Sequence, residues 1–304
     1  MPKFLQRRLV ILFMALVGVA AIWYNFFRLA PYSLTEQQRQ QAFEVSGAAD
    51  LSLKMQPLST TAWQFTYTSF DGATVNGQLH YPAPPSEIHH KIPVLIGVHA
   101  MGRSQIRWWQ DSFNGSPTLT QVHKLSRMAL DAGYAVVAID AREHGQRKNP
   151  ERSLKRIMWG LHLWGERHHY EAMIHDTVVD HRILLDWLST QPQFDNQQLH
   201  VAGYSMGAQV SLLLAAVDKR ISKVLAVVPP HVDDKTALVS VLQWVAGLKD
   251  NSVTLLSADN DEHASQEDNQ RLFNLIPSQS KQHIRFNAGH ILPEDYPTKL
   301  QHWF

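Results

Sequence analysis

The chain contains no cysteine. That absence excludes disulfides, thiolate metal sites, a cysteine nucleophile and an N-terminal lipoprotein anchor. Net charge is nearly absent too. Lys and Arg total 28 against 27 Asp and Glu, a balance of +1, so no basic excess suggests nucleic acid as a partner. No GxGxxG and no P-loop sequence occurs, which disfavours a nucleotide-binding sheet, and no cofactor is expected. There is no HExxH. The 17 histidines include His162, His168, His169, His175 and His181, but His175 and His181 lack the spacing of one helical face, so no metal is expected.

The most conspicuous feature present is one apolar run. Lys3, Arg7 and Arg8 precede residues 9–27, which only Tyr24 and Asn25 interrupt. About 19 such residues can cross a bilayer as a helix. Trp23, Tyr24 and Arg28 suit its far interface, and the basic flank predicts a cytoplasmic N-terminus with the rest of the chain outside, in the periplasm of a bacterium. A signal peptide cut after Ala20 or Ala21 is the competing expectation. Apolar and aromatic residues continue past that cut, which favours an uncleaved single-pass anchor over residues 1–30. Residues 31–60 then read as a connector. In it Ser33 and Glu36 form a capping box for a polar, Gln-rich helix ending near Ser46-Gly47.

Residues 63–69 and 75–81 alternate apolar and polar around Asp71-Gly72, the pattern of a hairpin. Residues 92–98 are a short apolar run, as in a strand buried on both faces. Helical and strand patterns then alternate. Helices are expected at 118–132, 170–188, 206–217, 236–248, 265–275 and 296–304, and strands at 134–139, 199–202, 222–228, 253–257 and 283–286. A hairpin followed by this alternation predicts an α/β domain over residues 61–304. It would hold about eight strands in a mostly parallel sheet, with the opening hairpin antiparallel and helices on both faces.

One stretch within this series carries chemistry. Gly203-Tyr204-Ser205-Met206-Gly207 sits between an apolar strand and a helix and matches the G-x-S-x-G nucleophile elbow. A serine hydroxyl needs a base within reach and a group that orients the base. The acid candidates follow the strand at 253–257. Asp261 is the first choice, because Ser257-Ala258-Asp259-Asn260-Asp261 lets the chain turn before presenting the carboxylate. Asp259 is the second and Asp233 the third, while Glu262 reads as loop solvation. The base candidate is His290 in Gly289-His290, just after the last strand. Oxyanion donors are expected from the backbone N–H of Met206, at a helix start, and of Met101 in His99-Ala100-Met101-Gly102.

These motifs, with Asp140-Ala141-Arg142-Glu143-His144-Gly145, resemble the α/β-hydrolase superfamily, closest to its dienelactone hydrolase-like and esterase/lipase-like members. The resemblance covers about residue 63 to the C-terminus. It implies the α/β-hydrolase fold and a serine hydrolase acting through Ser205, Asp261 and His290, carboxylesterase-like in type. The family has glycine where this chain has Ala100, and a methyl there could narrow the oxyanion loop. Asp140 and Arg142 are expected to pin loops through ion pairs, His144 to be structural, and Asp176 and Asp180 to lie on a solvated helix face.

An insert at 146–169 begins basic (Arg147, Lys148, Arg152, Lys155, Arg156) and turns aromatic (Trp159, Trp164). It reads either as a cap over the site or as a surface helix packed on the domain. Trp108, Trp159 and Trp164 are the candidate pocket residues. The expected function is ester hydrolysis by a membrane-tethered enzyme on a small-molecule or lipid-like acyl ester. A thioesterase, peptidase or acyltransferase would use the same triad, and a non-catalytic membrane-tethered binding protein is the rival of another class.

Overall fold

The computed structural model describes residues 3–45 and 51–304; the helix end expected at Ser46-Gly47 lies outside them. Helix α1 (Lys3–Phe26) has no buried residue and is long and apolar enough to cross a membrane. The next helix, α2 (Glu36–Gln41), is capped by Thr35 rather than Ser33. Thr35 Oγ1 accepts from Gln38 N at 3.2 Å, and the Gln38 side chain accepts from Thr35 N at 2.8 Å. Both S-x-x-E and T-x-x-Q satisfy the capping rule. The second is used because Tyr32, just upstream, is held on the domain by its N–H to Asp234 O (3.0 Å) and by its hydroxyl on Glu171.

Strand β1 (Lys54–Pro57) comes next. It pairs antiparallel with β2 (Ala62–Thr68), which pairs with β3 (Thr74–His80). The sheet thus begins inside the stretch that the sequence suggested was connector. All four β1 residues are exposed, so β1 carries no alternation to betray it. Then follow β4 (Ile92–Val98), a small hairpin of β5 (Ser112–Phe113) and β6 (Ser116–Pro117), α3 (Val122–Asp131), β7 (Ala135–Ile139), α4 (Leu154–Trp159) and α5 (His168–Thr190). The chain continues through β8 (Phe194–Tyr204), α6 (Met206–Val217), β9 (Ile221–Val227), β10 (Ser252–Ala258), α7 (Gln266–Leu275) and β11 (Lys281–Phe286).

The main sheet has nine strands in the order β1-β2-β3-β7-β4-β8-β9-β10-β11. Strands β1, β2, β3 and β7 pair antiparallel, and β7 through β11 run parallel. Period-two side chains divide the core. Ile92, Val94, Ile96 and Val98 of β4 join one cluster with residues of α5, α6 and α7. Leu95 joins the other, beneath α3 and the C-terminal turn holding Tyr296, Leu300 and Trp303. Continuous apolar strands between two helical layers are what a parallel sheet requires.

Two expectations are corrected here. Residues 236–248 are not one helix but 3₁₀ turns (Asp234–Val239, Val241–Gln243, Val245–Asp250), with Thr236 non-helical. Ser240 Oγ donates to Val232 O at 2.5 Å, a local bond that competes with helical pairing. Asp180 is not solvated but fully buried. It accepts from Arg142 Nε and Nη2 (both 2.8 Å), from Arg147 Nη1 (2.7 Å) and from Ser69 Oγ. Arg142 also reaches Asp71 at 2.6 Å, so the ion pairs of Arg142 do join loops, with α5 as their anchor.

Candidate active site

The carboxyl ends of β4, β8, β9, β10 and β11 lie side by side, the edge where open parallel sheets gather ligands. Ser205 stands at the tip of the turn between β8 and α6 with φ 56° and ψ −120°. A non-glycine residue there is strained. What holds it is the packing on either side. A Cβ at Gly203 would overlap Gly207 O, and a Cβ at Gly207 would overlap Val98 O. Only glycine at both positions lets the strand, the helix and β4 approach so closely. Ser205 N donates to Val227 O at 2.8 Å, and Ser205 O accepts from Ala208 N at 2.8 Å.

The structure brings Ser205, His290 and Asp261 into one line. Ser205 Oγ is 2.8 Å from His290 Nε2, and His290 Nδ1 is 2.9 Å from both Asp261 oxygens. A carboxylate only accepts, so Nδ1 carries the hydrogen and Nε2 is left to accept from the serine hydroxyl. The Asp261 side chain is 1 % exposed and that of His290 11 %, so the line is open at the histidine end and closed behind it. Asp261 Oδ1 also accepts from His263 N at 2.8 Å. The His290 loop is fastened from below by Tyr204, whose hydroxyl donates to His290 O (2.8 Å) and accepts from Leu292 N (3.0 Å). The His263 ring stands edge-on to His290, centroids 4.4 Å apart. Sequence reasoning missed both supports. Tyr204 occupies the variable position of the elbow motif, and nothing in its neighbours signals a bond to a loop 86 residues away.

The other acid candidates are engaged elsewhere. Asp259 pairs with Arg285 at 2.7 Å. Asp233 accepts from Lys235 N and Nζ, both at 2.9 Å. Glu262 is exposed and accepts from His290 N at 3.4 Å. Met206 N lies at the first turn of α6, and Met101, Met206 and Ser205 line the same cavity. Among the described residues, neither Met101 N nor Met206 N donates a hydrogen bond, so both are free to face an oxyanion. Ala100 has no positive φ, and its methyl packs beside the second core cluster. The extra carbon is therefore accommodated without the backbone angle that would demand glycine.

The cavity around Ser205 has a volume of about 520 Å³. Its wall corrects the candidate pocket residues. Trp108 is fully buried, and a Cβ at Gly97 would lie 2.5 Å from its indole; it fills the core beneath β4. Trp159 and Trp164 are 53 % and 54 % exposed. Neither lines the cavity, to which the insert contributes Met158, Leu161 and His162 instead. The opposite wall comes from the end of α1 and the residues after it: Trp23, Phe27, Arg28 and Leu29. A larger cleft of about 840 Å³, between the opening hairpin and residues 102–107, contains none of Ser205, Asp261 and His290.

Comparison with known proteins bears on the fold. A family model described as alpha/beta hydrolase fold matches residues 113–251. No curated protein matches the sequence. Among solved structures, acetyl xylan esterase 1 from Thermoanaerobacterium sp. JW/SL YS485 is similar at 18 % identity and TM-score 0.69, over 88 % of this chain and 92 % of that one. The acetyl xylan esterase from Paenibacillus sp. R4 is similar at 16 % identity and TM-score 0.65, over 93 % and 98 %. A cold-adapted esterase from an Arctic intertidal metagenomic library is similar at 18 % identity and TM-score 0.59, over 82 % and 92 %. At these identities the likeness is one of fold.

Proposed function

We propose that this chain, which has the α/β-hydrolase fold, is a membrane-anchored serine hydrolase that cleaves carboxylic esters through an acyl-enzyme on Ser205. The observation that carries the reading is the continuous hydrogen-bonded line from Ser205 Oγ through His290 to Asp261. The esterases among the similar structures support an ester as the bond attacked.

In this mechanism Ser205 Oγ attacks the ester carbonyl carbon while its proton passes to His290 Nε2. Negative charge moves to the carbonyl oxygen, which the N–H groups of Met101 and Met206 and the positive end of α6 would hold. The tetrahedral adduct collapses as the bond to the alcohol oxygen breaks, and His290 gives the alcohol its proton. Water then attacks the acyl-enzyme, passing a proton to His290. The acid leaves and Ser205 recovers its hydrogen from His290. Asp261 supports the imidazolium formed in each half and is not itself protonated. No cofactor enters. Helix α1 serves as an uncleaved anchor, with its basic end in the cytoplasm and the hydrolase domain on the other side.

Ser205→Ala is the direct test. Hydrolysis of short p-nitrophenyl esters is expected to fall by about a thousandfold or more, with the circular dichroism spectrum unchanged. A fluorophosphonate probe should label the parent chain and not the variant. Undiminished hydrolysis by a folded Ser205→Ala chain overturns the reading, and a folded parent that resists the probe points to a binding protein that only shares the fold.

A further inference from the structure

The end of α1 is part of the cavity rather than a tether beside it. Trp23, Phe27, Arg28 and Leu29 share one cavity with Ser205 and Met206, and several contacts fix them there. Trp23 Nε1 donates to Leu163 O at 2.8 Å. The Phe27 ring meets Trp164 edge-on, centroids 5.5 Å apart. Arg167 donates to Ala30 O at 3.0 Å. A Cβ at Gly165, which has φ +69°, would lie 2.6 Å from Phe27 O, so the insert turns with a glycine where the chain leaving α1 presses on it. These contacts leave the segment little room to swing.

The 24 residues of α1 extend about 36 Å at 1.5 Å per residue, enough to cross a hydrocarbon core of about 30 Å. Trp23 and Tyr24 then stand at headgroup level, where aromatic rings settle. Whatever touches them stands at that level too. Leu163, which Trp23 touches, is 46 % exposed; Trp164, which meets Phe27 one turn further on, is 54 % exposed, and Trp159 nearby in the chain is 53 % exposed. Lys155 lies over the Trp159 ring at 4.5 Å, and Arg28 over Tyr24 at 4.7 Å. Exposed tryptophan and leucine interleaved with basic residues are the composition of a surface that lies in a lipid interface. Such a patch needs a partner, and the one partner that α1 must bring to it is the bilayer.

We infer that the site opens onto the bilayer surface and that its substrate is a long-chain acyl ester resident in the membrane, entering between the end of α1 and the insert at 158–164. This rests on the esterase reading and on α1 being retained as an anchor. The apolar wall of Trp23, Phe27, Leu29, Met158 and Leu161 receives the acyl chain, and the carbonyl reaches Ser205 without crossing water.

The test uses the full chain in phosphatidylcholine vesicles with two fluorogenic esters of one leaving group, umbelliferyl acetate in the water and umbelliferyl oleate in the bilayer. The double variant Trp159→Gln/Leu163→Gln alters exposed side chains that do not line the cavity. It is expected to lose about tenfold or more on the oleate, since interfacial binding scales with buried apolar area, and to keep its rate on the acetate. Unchanged oleate turnover, equal loss on both esters, or a parent that cleaves only the acetate overturns the inference while the esterase reading stands. A parent that cleaves neither overturns that reading and the inference with it. Because the chain has no cysteine, Leu163→Cys can carry a single nitroxide. Its relaxation should respond more to oxygen than to a water-soluble nickel chelate, and the reverse order overturns the inference.

Discussion

His290 and His181 each stand close to an aspartate, yet only one of the two aspartates is left to hold its histidine. Asp261 has no Arg or Lys partner among the described residues, so its carboxylate is left for His290 Nδ1. Asp180 is matched by two guanidiniums, Arg142 and Arg147, and has nothing left for an imidazole. Burial, offset only in part by the bonds each ring makes, lowers the pKa of His181 to about 4 and that of His144, which faces His99 as well, to about 3. His181 gives its Nδ1 hydrogen to Thr177 O (2.7 Å) and His144 gives its own to Arg142 O (2.7 Å). Their Nε2 atoms are buried without a partner. Where the arginines go decides which aspartate is left for a histidine: the cluster around Asp180 is sealed and structural, and Asp261 is left to His290.

Asp261→Asn presses hardest on that contrast. An amide at 261 presents an N–H where Nδ1–H expects an acceptor and favours the wrong tautomer of His290. Ester turnover should fall about 10⁴-fold with little loss of stability, read from kcat on a soluble ester. Asp259→Asn removes only an exposed pair with Arg285 and should leave turnover within about twofold. Comparable losses in the two variants would return Asp259 to the position that the sequence left open for it.

Asp180→Ala should reverse the pattern. Arg142 is 12 % exposed and Arg147 6 %, and the variant leaves two nearly buried guanidiniums short of their shared counter-charge. Removing one side of such an arrangement costs about 3–5 kcal/mol, to be measured by urea unfolding of the domain in detergent-solubilised full chain. Turnover per folded molecule should hold. A variant that stays fully stable would mean that Asp71 alone satisfies Arg142 and that the cluster is not a keystone.

How far the sequence revealed each region follows from how local its determinants are. The elbow is legible because its steric demand sits within five residues, two of them glycines that nothing else could replace. Asp261 and His290 are legible because strand order carries them to one edge. Asp180 is not, because an acid within a helix looks solvated until Arg142 and Ser69, 38 and 111 residues earlier in the chain, arrive beside it. The tryptophans show the same limit from the other side. Their size marked them for a pocket, but direction is a tertiary property, and Trp108 turns inward while Trp159 and Trp164 turn out. Trp23 and Phe27 read as the edge of a membrane helix, and nothing local says that such an edge also walls a cavity.

The smallest expected effect, and the most diagnostic for the sealed cluster, is on pH dependence. Burial depresses His99, His144 and His181 in the folded chain, whereas in the unfolded chain they titrate near about 6.5. Below that value the unfolded state binds protons that the folded state refuses, so stability falls as pH drops, and it stops falling only where the folded groups titrate in turn. The window therefore runs from about 6.5 down to about 4 for His181 and about 3 for His144. Asp71, whose carboxylate is held below its usual range by the Arg142 guanidinium, acts with the same sign but only once the pH falls below its unfolded value of about 3.9, near the bottom of that window. Unfolding midpoints of the full chain in urea, taken between pH 7 and 4.5, should decline steadily in the parent. His181→Gln retains a donor for Thr177 O and adds no group that titrates there, so it should flatten the slope. An unchanged slope in that variant would take His181 out of the pH sensitivity and leave it to the other buried histidines, such as His99 and His144.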